Sequence, residues 1–251
     1  MQQEWINPSL TSTVSALRNT ETIVPAPAAT TTTTPAIPAF PTFAFPSHGP
    51  NILLVIPTAN ADKTRILTTA FTSHLPTTNG GSATLLHPLT VPASSNVGEQ
   101  PYNGAGPAGA HNRIANALQT LADSAGQRAV LAQHGIGTVM AASIENYIQE
   151  GAVGVGGEAR PVDYGFVLVH NASTGRTVSA VSRGVTVPRA YYEYARSLGT
   201  DGGEDYGRVT AGEVLTANVP GMDKANWHQV VADVSRYDLL TEAIEGLEIP
   251  W

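Results

Sequence analysis

The sequence feature that most constrains the fold is a continuous apolar run that passes directly into an amphipathic segment. Residues Asn51 to Ile56 read NILLVI, which predicts a strand buried on both faces. Residues Asn60 to Leu75 then place apolar side chains three and four positions apart, as a helix with one buried face requires. A fully buried strand needs helices on both sides of its sheet. We therefore expect an α/β fold.

Strand and helix patterns alternate along the next part of the chain, before hairpin patterns appear. The predicted strands cover 83–91, 138–145, 164–170 and 175–187, and the predicted helices cover 107–125, 188–198 and most of 223–247. The last two strands flank the turn NASTG and form an antiparallel pair. This order predicts a three-layer α/β domain with a mixed β-sheet, covering residues 51–251.

Residues 1–50 differ in composition from the rest of the chain. Eight of the 18 prolines fall there, together with a run of five threonines and only three charged residues. Such a segment buries little apolar surface, so we predict a disordered Pro/Thr-rich arm with polyproline II character. Within it, PAFPTFAFP (38–46) interleaves proline with phenylalanine. This stretch is a linker, a docking peptide for a proline-reading protein, or an arm that packs on the protein's own core.

Composition excludes several classes of function. A formal net charge of −7 argues against a general nucleic-acid binder, because such proteins carry a basic face. The absence of cysteine excludes disulfides, thiolate metal sites and cysteine nucleophiles. The N-terminus lacks the pattern of a secretory signal, and no apolar run is long enough to span a membrane. We therefore predict a soluble cytoplasmic protein that contacts neither nucleic acid nor membrane.

The turn between the first strand and the first helix carries Thr58, Asn60 and Lys63. Backbone N–H groups at the start of a helix are unpaired and the helix dipole is positive there, so this turn is suited to bind a triphosphate. Lys63, one of only two lysines in the chain, adds a charge one turn into the helix. The alternative is an ordinary helix start, with Asn60 as N-cap and Lys63 in solvent.

A second polar group lies in AGAHNRIANAL (108–118). Asn112 and Asn116 are four residues apart on a helix, with Arg113 beside them, so one face offers two amides and a guanidinium to a phosphate. Further on, Glu145 ends the predicted strand TVMAASIE, a common position for a magnesium ligand or a water-activating base. The alternatives are a solvent-facing polar helix and a solvated glutamate.

Three weaker candidates complete the set. Glu99 and Gln100 place a carboxylate and an amide on the rigid turn GEQP. His228 lies in NWHQVV on the last helical segment, where it is suited to read a base edge or to serve as a structural histidine.

Taken in order, these blocks resemble the noncanonical purine NTP phosphatases, the inosine/xanthosine triphosphatases, which share a domain with the proline-rich coiled-coil PRRC proteins. The matching blocks are TxNxxK at 58–63, EQPY at 99–102, GAHNRIANA at 109–117, IE at 144–145, the hairpin at 164–177 and WHQV at 227–230. The resemblance covers most of residues 52–235.

This resemblance implies a two-lobed α/β fold with a cleft between the lobes, usually in a homodimer. It also implies Mg²⁺- or Mn²⁺-dependent hydrolysis of ITP and XTP to the diphosphate and phosphate, and so a role in cleaning the nucleotide pool. The residues it assigns to substrate binding are Thr58, Asn60, Lys63, Gln100, Arg113, Asn116 and His228. Lys63 and Glu145 are the expected catalytic residues, and Glu145 and Glu99 the expected metal ligands.

The chain departs from the family pattern at four places, one of which is the stretch NGAG at 103–106 in place of the family's acidic turn. Ser94 stands where the family has its first metal carboxylate, and the glycine-rich loop at 199–212 lacks the family's lysine. Asn146 and Tyr147 replace a small residue and a glycine, and we expect them to crowd the cleft. These departures motivate an alternative function, a catalytically degenerate nucleotide- or protein-binding scaffold of the same fold.

Overall fold

The computed structural model describes residues 5–11, 14–18, 23–27, 37–76, 83–153 and 159–251. In these ranges the strands are β1 (Ile23–Val24), β2 (Asn51–Ile56), β3 (Leu86–Thr90), β4 (Gln100–Pro101), β5 (Ile136–Val153), β6 (Ala159–Asn171), β7 (Thr177–Val181), β8 (Gly184–Thr186) and β9 (Tyr206–Gly207). The helices are α1 (Val14–Leu17), α2 (Ala61–Ser73), α3 (Ala105–Asp123), α4 (Ala125–Gln133), α5 (Arg189–Ser197), α6 (Ala211–Asn218), α7 (Trp227–Ala232) and α8 (Arg236–Glu245). None of these helices has the length and apolarity needed to cross a membrane.

The main sheet is mixed. Its strand order is β1-β8-β6-β5-β2-β3, and β7 pairs with β6 beside β8. Strand β2 runs parallel to both β3 and β5, whereas the other pairs are antiparallel. The predicted α/β class with a mixed sheet is therefore confirmed.

Strand β2 shows how the sequence produces three layers. Leu53 and Val55 are buried in the core that α3 and α4 cover, whereas Ile52, Leu54 and Ile56 are buried in the core under α2 and α8. Burying an aliphatic side chain of this size stabilises the fold by about 1.5–3 kcal/mol. A strand that is apolar at every position from Ile52 to Ile56 is therefore stable only between two layers of helices, as the sequence predicts.

The connections after β2 and β3 leave the sheet on opposite faces. The chain passes from β2 through α2, on one face, to β3, and from β3 through α3, on the other face, to β5. Loops that diverge in this way open a crevice at the carboxyl ends of the parallel strands, where α/β proteins bind their ligands. This topology places the site described below.

A second body packs beyond that crevice. Its core joins α5, α6 and α7, with buried residues such as Tyr191, Leu215 and Trp227. Strands β4 and β9 form a separate two-stranded sheet there, and Tyr102, just after β4, bridges to Ile148 of β5. Because β5 extends to Val153, it connects both bodies.

The described parts of residues 1–50 differ from the predicted disorder. Val24 pairs with Gly184 at the end of the main sheet, and Phe43 is buried in the core below α3. Asn7 and Trp5 are held by a distant residue: the Asn218 side chain accepts a hydrogen bond from Asn7 N and donates one to Trp5 O. Apolar side chains between the prolines therefore bury enough surface to offset their ordering entropy. The five-threonine run lies outside the described residues.

Candidate functional site

A polar cavity of about 450 Å³ lies at the carboxyl ends of β2 and β3. Residues 94–96, 98 and 99, from the loop after β3, line one side. The other lining residues are Arg113 of α3, Glu145 of β5 and Asp201, from the loop between α5 and β9. Glu99, Arg113 and Glu145, which the sequence assigns to one site, therefore line the same pocket.

Three polar side chains of α3 hold successive backbone carbonyls before and within the pocket loop. The hydrogen bonds run from Arg113 to Ala93 (2.7 Å), from Asn116 to Ser94 (3.0 Å) and from Asn112 to Ser95 (2.8 Å). These carbonyl oxygens point at α3, so the shape of the loop is set by the helix. Asn116, which the sequence assigns to substrate, supports the pocket wall in this structure.

Glu145 is paired with Arg113 on the α3 face of the sheet. Arg113 Nε donates to Glu145 Oε2 at 2.7 Å, and only 8% of the Glu145 side chain is exposed. The prediction that Glu145 ends its strand is wrong, because β5 continues to Val153 and pairs with β6 along its length. Glu145 still lies at an edge, since the pairing of β2 with β5 stops at Ala141.

Lys63 approaches the same part of β5 from α2. Its ammonium group donates to the Ile144 carbonyl at 2.8 Å, so the lysine is neither free in solvent nor far from Glu145. Burial lowers the pKa of Lys63 to about 8. The charge of Glu145 opposes this shift, whereas the charge of Arg236 adds to it. Lys63 is therefore a partly desolvated cation behind the pocket.

Thr58 and Asn60 form the N-cap of α2. Asn60 Oδ1 accepts from the Lys63 backbone N–H at 2.9 Å, and Thr58 Oγ1 accepts from Asn60 N at 3.1 Å. The alternative that Asn60 is an ordinary N-cap is therefore correct, because its side-chain oxygen accepts from one of the backbone N–H groups that are otherwise unpaired at the helix start. The companion alternative, a solvated Lys63, is wrong.

A buried polar cluster lies on the opposite face of β5 and β6. His228 Nε2 is 2.6 Å from Asp163 Oδ2, and both side chains are buried. Burial lowers the pKa of His228, so its ring is neutral, and the carboxylate fixes the proton on Nε2. His228 Nδ1, Asn146 Oδ1 and Arg236 Nε are buried without a hydrogen-bond partner in the described part of the chain.

Unpartnered buried polar atoms are costly, at about 1–3 kcal/mol each. Three of them in one cluster, offering the Nδ1 acceptor, an amide oxygen and an N–H donor, are suited to a polar ligand or ordered water. His228 itself is buried and does not line the polar cavity, so its role in substrate binding stays a prediction.

Gln100 joins the two bodies. Its Oε1 accepts from the backbone N–H of Ala211 at 3.2 Å, at the first residue of α6, and its Nε2 donates to Pro101 O at 3.2 Å. Gln100 is buried and does not line the pocket.

The expectation that Tyr147 crowds the cleft is wrong. Tyr147 is 5% exposed and packs in the core against α3. A Cβ at Gly106 would lie 2.4 Å from Tyr147 Cγ, so the glycine near the start of α3 provides the space for the ring. The Tyr147 ring is therefore accommodated in the core, away from the pocket.

The carboxylates that line the pocket decide whether it is suited to hold the predicted metal ion. Glu99, Glu145 and Asp201 line the cavity, although the described residues contain no group of three or more His, Cys, Asp or Glu side chains arranged to hold a metal ion. Mg²⁺ is usually held by one or two carboxylates together with phosphate oxygens of the substrate. The acidic lining fits such a partial donor set, and Glu145 Oε1 is free of the bond to Arg113.

Sequence reasoning missed three polar residues of this region, Asp201, Asp163 and Arg236. Asp201 belongs to a glycine-rich loop in the second body, and Asp163 meets His228 across 65 residues of sequence. No local spacing relates these positions, since only the pairing of β5 with β6 and the docking of the second body bring them together.

The fold and the pocket define an α/β protein with a polar crevice at the carboxyl edge of a mixed sheet. No protein-family model matches the sequence, and no curated protein matches it. The crystal structure of protein VC0702 from Vibrio cholerae is similar to the chain, with a TM-score of 0.53 and 16% sequence identity. The similarity covers 77% of this chain and 91% of VC0702, and at this identity it supports the fold alone.

Proposed function

We propose that the chain has the two-lobed fold of the inosine/xanthosine triphosphatases and hydrolyses ITP and XTP in the crevice between its two bodies. The observation that carries the proposal is the meeting of Lys63, Glu145 and Arg113 at one edge of β5, as the resemblance requires. The products would be the nucleoside diphosphate and phosphate. The same resemblance implies a homodimer, which the molecular mass in solution would test.

Two zones of opposite charge support this proposal. The pocket has three carboxylates and one guanidinium, which leaves a net charge of −2 and favours a divalent cation. Behind it, Arg236 lies near enough to Lys63 for its charge to help lower the pKa of Lys63, whereas the charge of Asp163 acts in the opposite direction. A metal-bound polyphosphate carries both signs of charge and so complements both zones.

The residues that would hold Mg²⁺ or Mn²⁺ are Glu145 and Glu99, with Asp201 in place of the carboxylate that the family has at the position of Ser94. When bound, the metal would neutralise charge on the phosphate oxygens. The protein's own contribution is positional: Arg113 fixes Glu145, and Lys63 supplies a fixed positive charge.

The test is phosphate release from ITP, XTP, ATP and GTP by the purified chain, with Mg²⁺ or Mn²⁺. Selective release from ITP and XTP is expected. Glu145→Gln keeps the side-chain volume but removes the charge, and should reduce release at least tenfold. Lys63→Met should also reduce phosphate release. Its matched control, Lys224→Met, should not, because Lys224 is the chain's other lysine and binds Glu213 at the surface. If phosphate release from all four nucleotides stays at the background rate, the proposed triphosphatase activity is refuted.

Ser94→Asp provides a test in the opposite direction. Ser94 Oγ donates to Asn96 Oδ1 at the rim of the pocket, so an aspartate there adds a carboxylate without disturbing the core. If the pocket is a metal site, this variant should need less Mg²⁺ for half-maximal phosphate release. An unchanged or increased requirement would argue against a metal in this pocket.

The second candidate is a catalytically degenerate scaffold that binds nucleotide without hydrolysis. The observation that favours it is the engagement of Glu145 by Arg113, together with serine at position 94. A nonhydrolysable ITP analogue would then bind while phosphate release stays at background. The proline-reading partner is less favoured, because residues 37–45 already contact the protein's own core.

A further inference from the structure

The ring of Phe40 lies between two imidazoles. Its centroid is 4.3 Å from that of His111 on α3 and 4.1 Å from that of His170 on β6, with interplanar angles of 25° and 29°. We call residues 37–45 the strap. Phe43, further along it, is 9% exposed, and its ring centroid is 5.9 Å from that of Phe45. The strap therefore bridges α3 and β6 through aromatic contacts.

The histidine on the sheet side of this slot is uncharged. His170 is 4% exposed, and its Nδ1 lies 2.9 Å from Thr177 Oγ1 on β7. Burial, and secondly the neighbouring His111, lower the pKa of His170 to about 4. No carboxylate in the described ranges acts on this ring. His111 Nε2 is itself buried without a hydrogen-bond partner there, so the slot lacks a counter-charge for an imidazolium.

A cavity of about 720 Å³ lies beside the strap. Residues 37–43 of the strap form one wall, and the turn at 172–175 with the start of β7 forms another. His170 also lines this cavity, so a small movement of the strap would bring solvent to its ring.

We propose that the strap is an acid-sensitive clasp, which is docked while the His170 ring is neutral and is released when that ring takes up a proton. A charged ring at position 170 would be buried without a partner and would face a second imidazole across Phe40. Release of the strap hydrates the His170 ring, so protonation of that ring favours the open form. This inference does not depend on the proposed activity.

Release would also affect the helix that shapes the pocket. His111 directly precedes Asn112 and Arg113, which hold the carbonyls of Ser95 and Ala93. Loss of the Phe40 contact therefore removes support from the same turn of α3.

The expected size of the effect follows from linkage. The docked pKa of about 4 lies below the ordinary value of 6.5, so docking is fully favoured above pH 6.5 and weakens as the pH falls toward 4. If the released ring titrates at its ordinary value, the docking equilibrium constant falls about 30-fold between pH 7.5 and pH 5.

Hydrogen–deuterium exchange of the full chain, corrected for intrinsic exchange at each pH, measures this directly. The peptide that covers residues 37–48, in which the His48 amide donates to the Ile136 carbonyl, should be protected at pH 7.5 and lose about 30-fold of that protection at pH 5. The peptide that contains β2 should remain protected at both values. Unchanged protection of the strap, or its loss together with that of β2, would overturn the proposal.

Two variants separate titration from packing. His170→Phe keeps an aromatic ring but cannot be charged, so its strap should stay protected at pH 5; loss equal to that of the wild type would contradict the proposal. Phe40→Ala removes the docked ring and should expose the strap at pH 7.5 as well. A strap that remains protected in Phe40→Ala would show that the slot does not hold it.

Discussion

Replacing Lys63 with methionine tests the buried ammonium group behind the pocket. The pKa of Lys63 is lowered from 10.5 to about 8, chiefly by burial. Between these values the unfolded chain binds more protons at this position than the folded chain, so folding becomes more favourable as the pH rises. The Lys63→Met variant lacks this contribution at every pH.

The magnitude can be worked from the two pKa values. The unfavourable contribution of Lys63 to the free energy of unfolding is about 3 kcal/mol at pH 7.5 and about 1.4 kcal/mol at pH 9.5. Relative to Lys63→Met, the wild type should therefore gain about 2 kcal/mol over this interval. The lost hydrogen bond to Ile144 O adds a constant to the difference but does not change its pH dependence.

Urea unfolding of both proteins at pH 7.5, 8.5 and 9.5 provides the measurement. Tyrosines that titrate in this range are present in both proteins, so their effects cancel. Lys224→Met should show no comparable change, because Lys224 lies at the surface. A difference between wild type and Lys63→Met that stays constant from pH 7.5 to 9.5 would refute a desolvated ammonium.

Two further predictions concern the packing of β6 against α8 and the anchoring of residues 5–11 by Asn218. Gly165→Ala would place a Cβ 2.3 Å from Leu240 Cδ2 and should destabilise the fold by about 1–3 kcal/mol, whereas in a Leu240→Ala background it should be neutral or stabilising. A double-mutant cycle from urea unfolding checks this, and additive effects would contradict it. Asn218→Ala removes the hydrogen bonds to Asn7 and Trp5 and should cost about 1–3 kcal/mol. Faster hydrogen exchange at residues 5–11 is the expected sign, and unchanged exchange would show that Asn218 does not anchor this segment.

The parts of the fold that were predictable are those with a local pattern. The buried β2 and the helix after it follow from apolar spacing alone, and the predicted helix at 60–75 contains α2 at Ala61–Ser73. The continuation of β5 past Glu145 has no such pattern, because its polar residues are satisfied by distant partners. Asn103, for example, accepts hydrogen bonds from Gln149 and from the backbone of Glu150.

The contacts of the candidate site also fall into those that the sequence predicts and those that it does not. The approach of Lys63 to the strand that carries Glu145 was predictable, because a helix that follows a parallel strand begins at the carboxyl edge of its sheet. The pairing of Asp163 with His228 was not predictable, since it depends on how α7 docks against β6. The packing of residues 38–46 on the protein's own core was one of three open alternatives, because composition does not specify which surface receives the phenylalanine rings.

The contacts of residues 5–10 have a consequence for synthesis on the ribosome. Asn7 and Trp5 meet Asn218, and the carbonyl of Leu10 accepts from the Tyr191 hydroxyl, 181 residues later. Residues 5–10 therefore cannot make these contacts until the segment that carries Tyr191 and Asn218 has been synthesised. Until then their tryptophan and leucine side chains are exposed to other nascent chains and to chaperones. A product truncated before Tyr191 would leave residues 5–10 without the surface that they pack on.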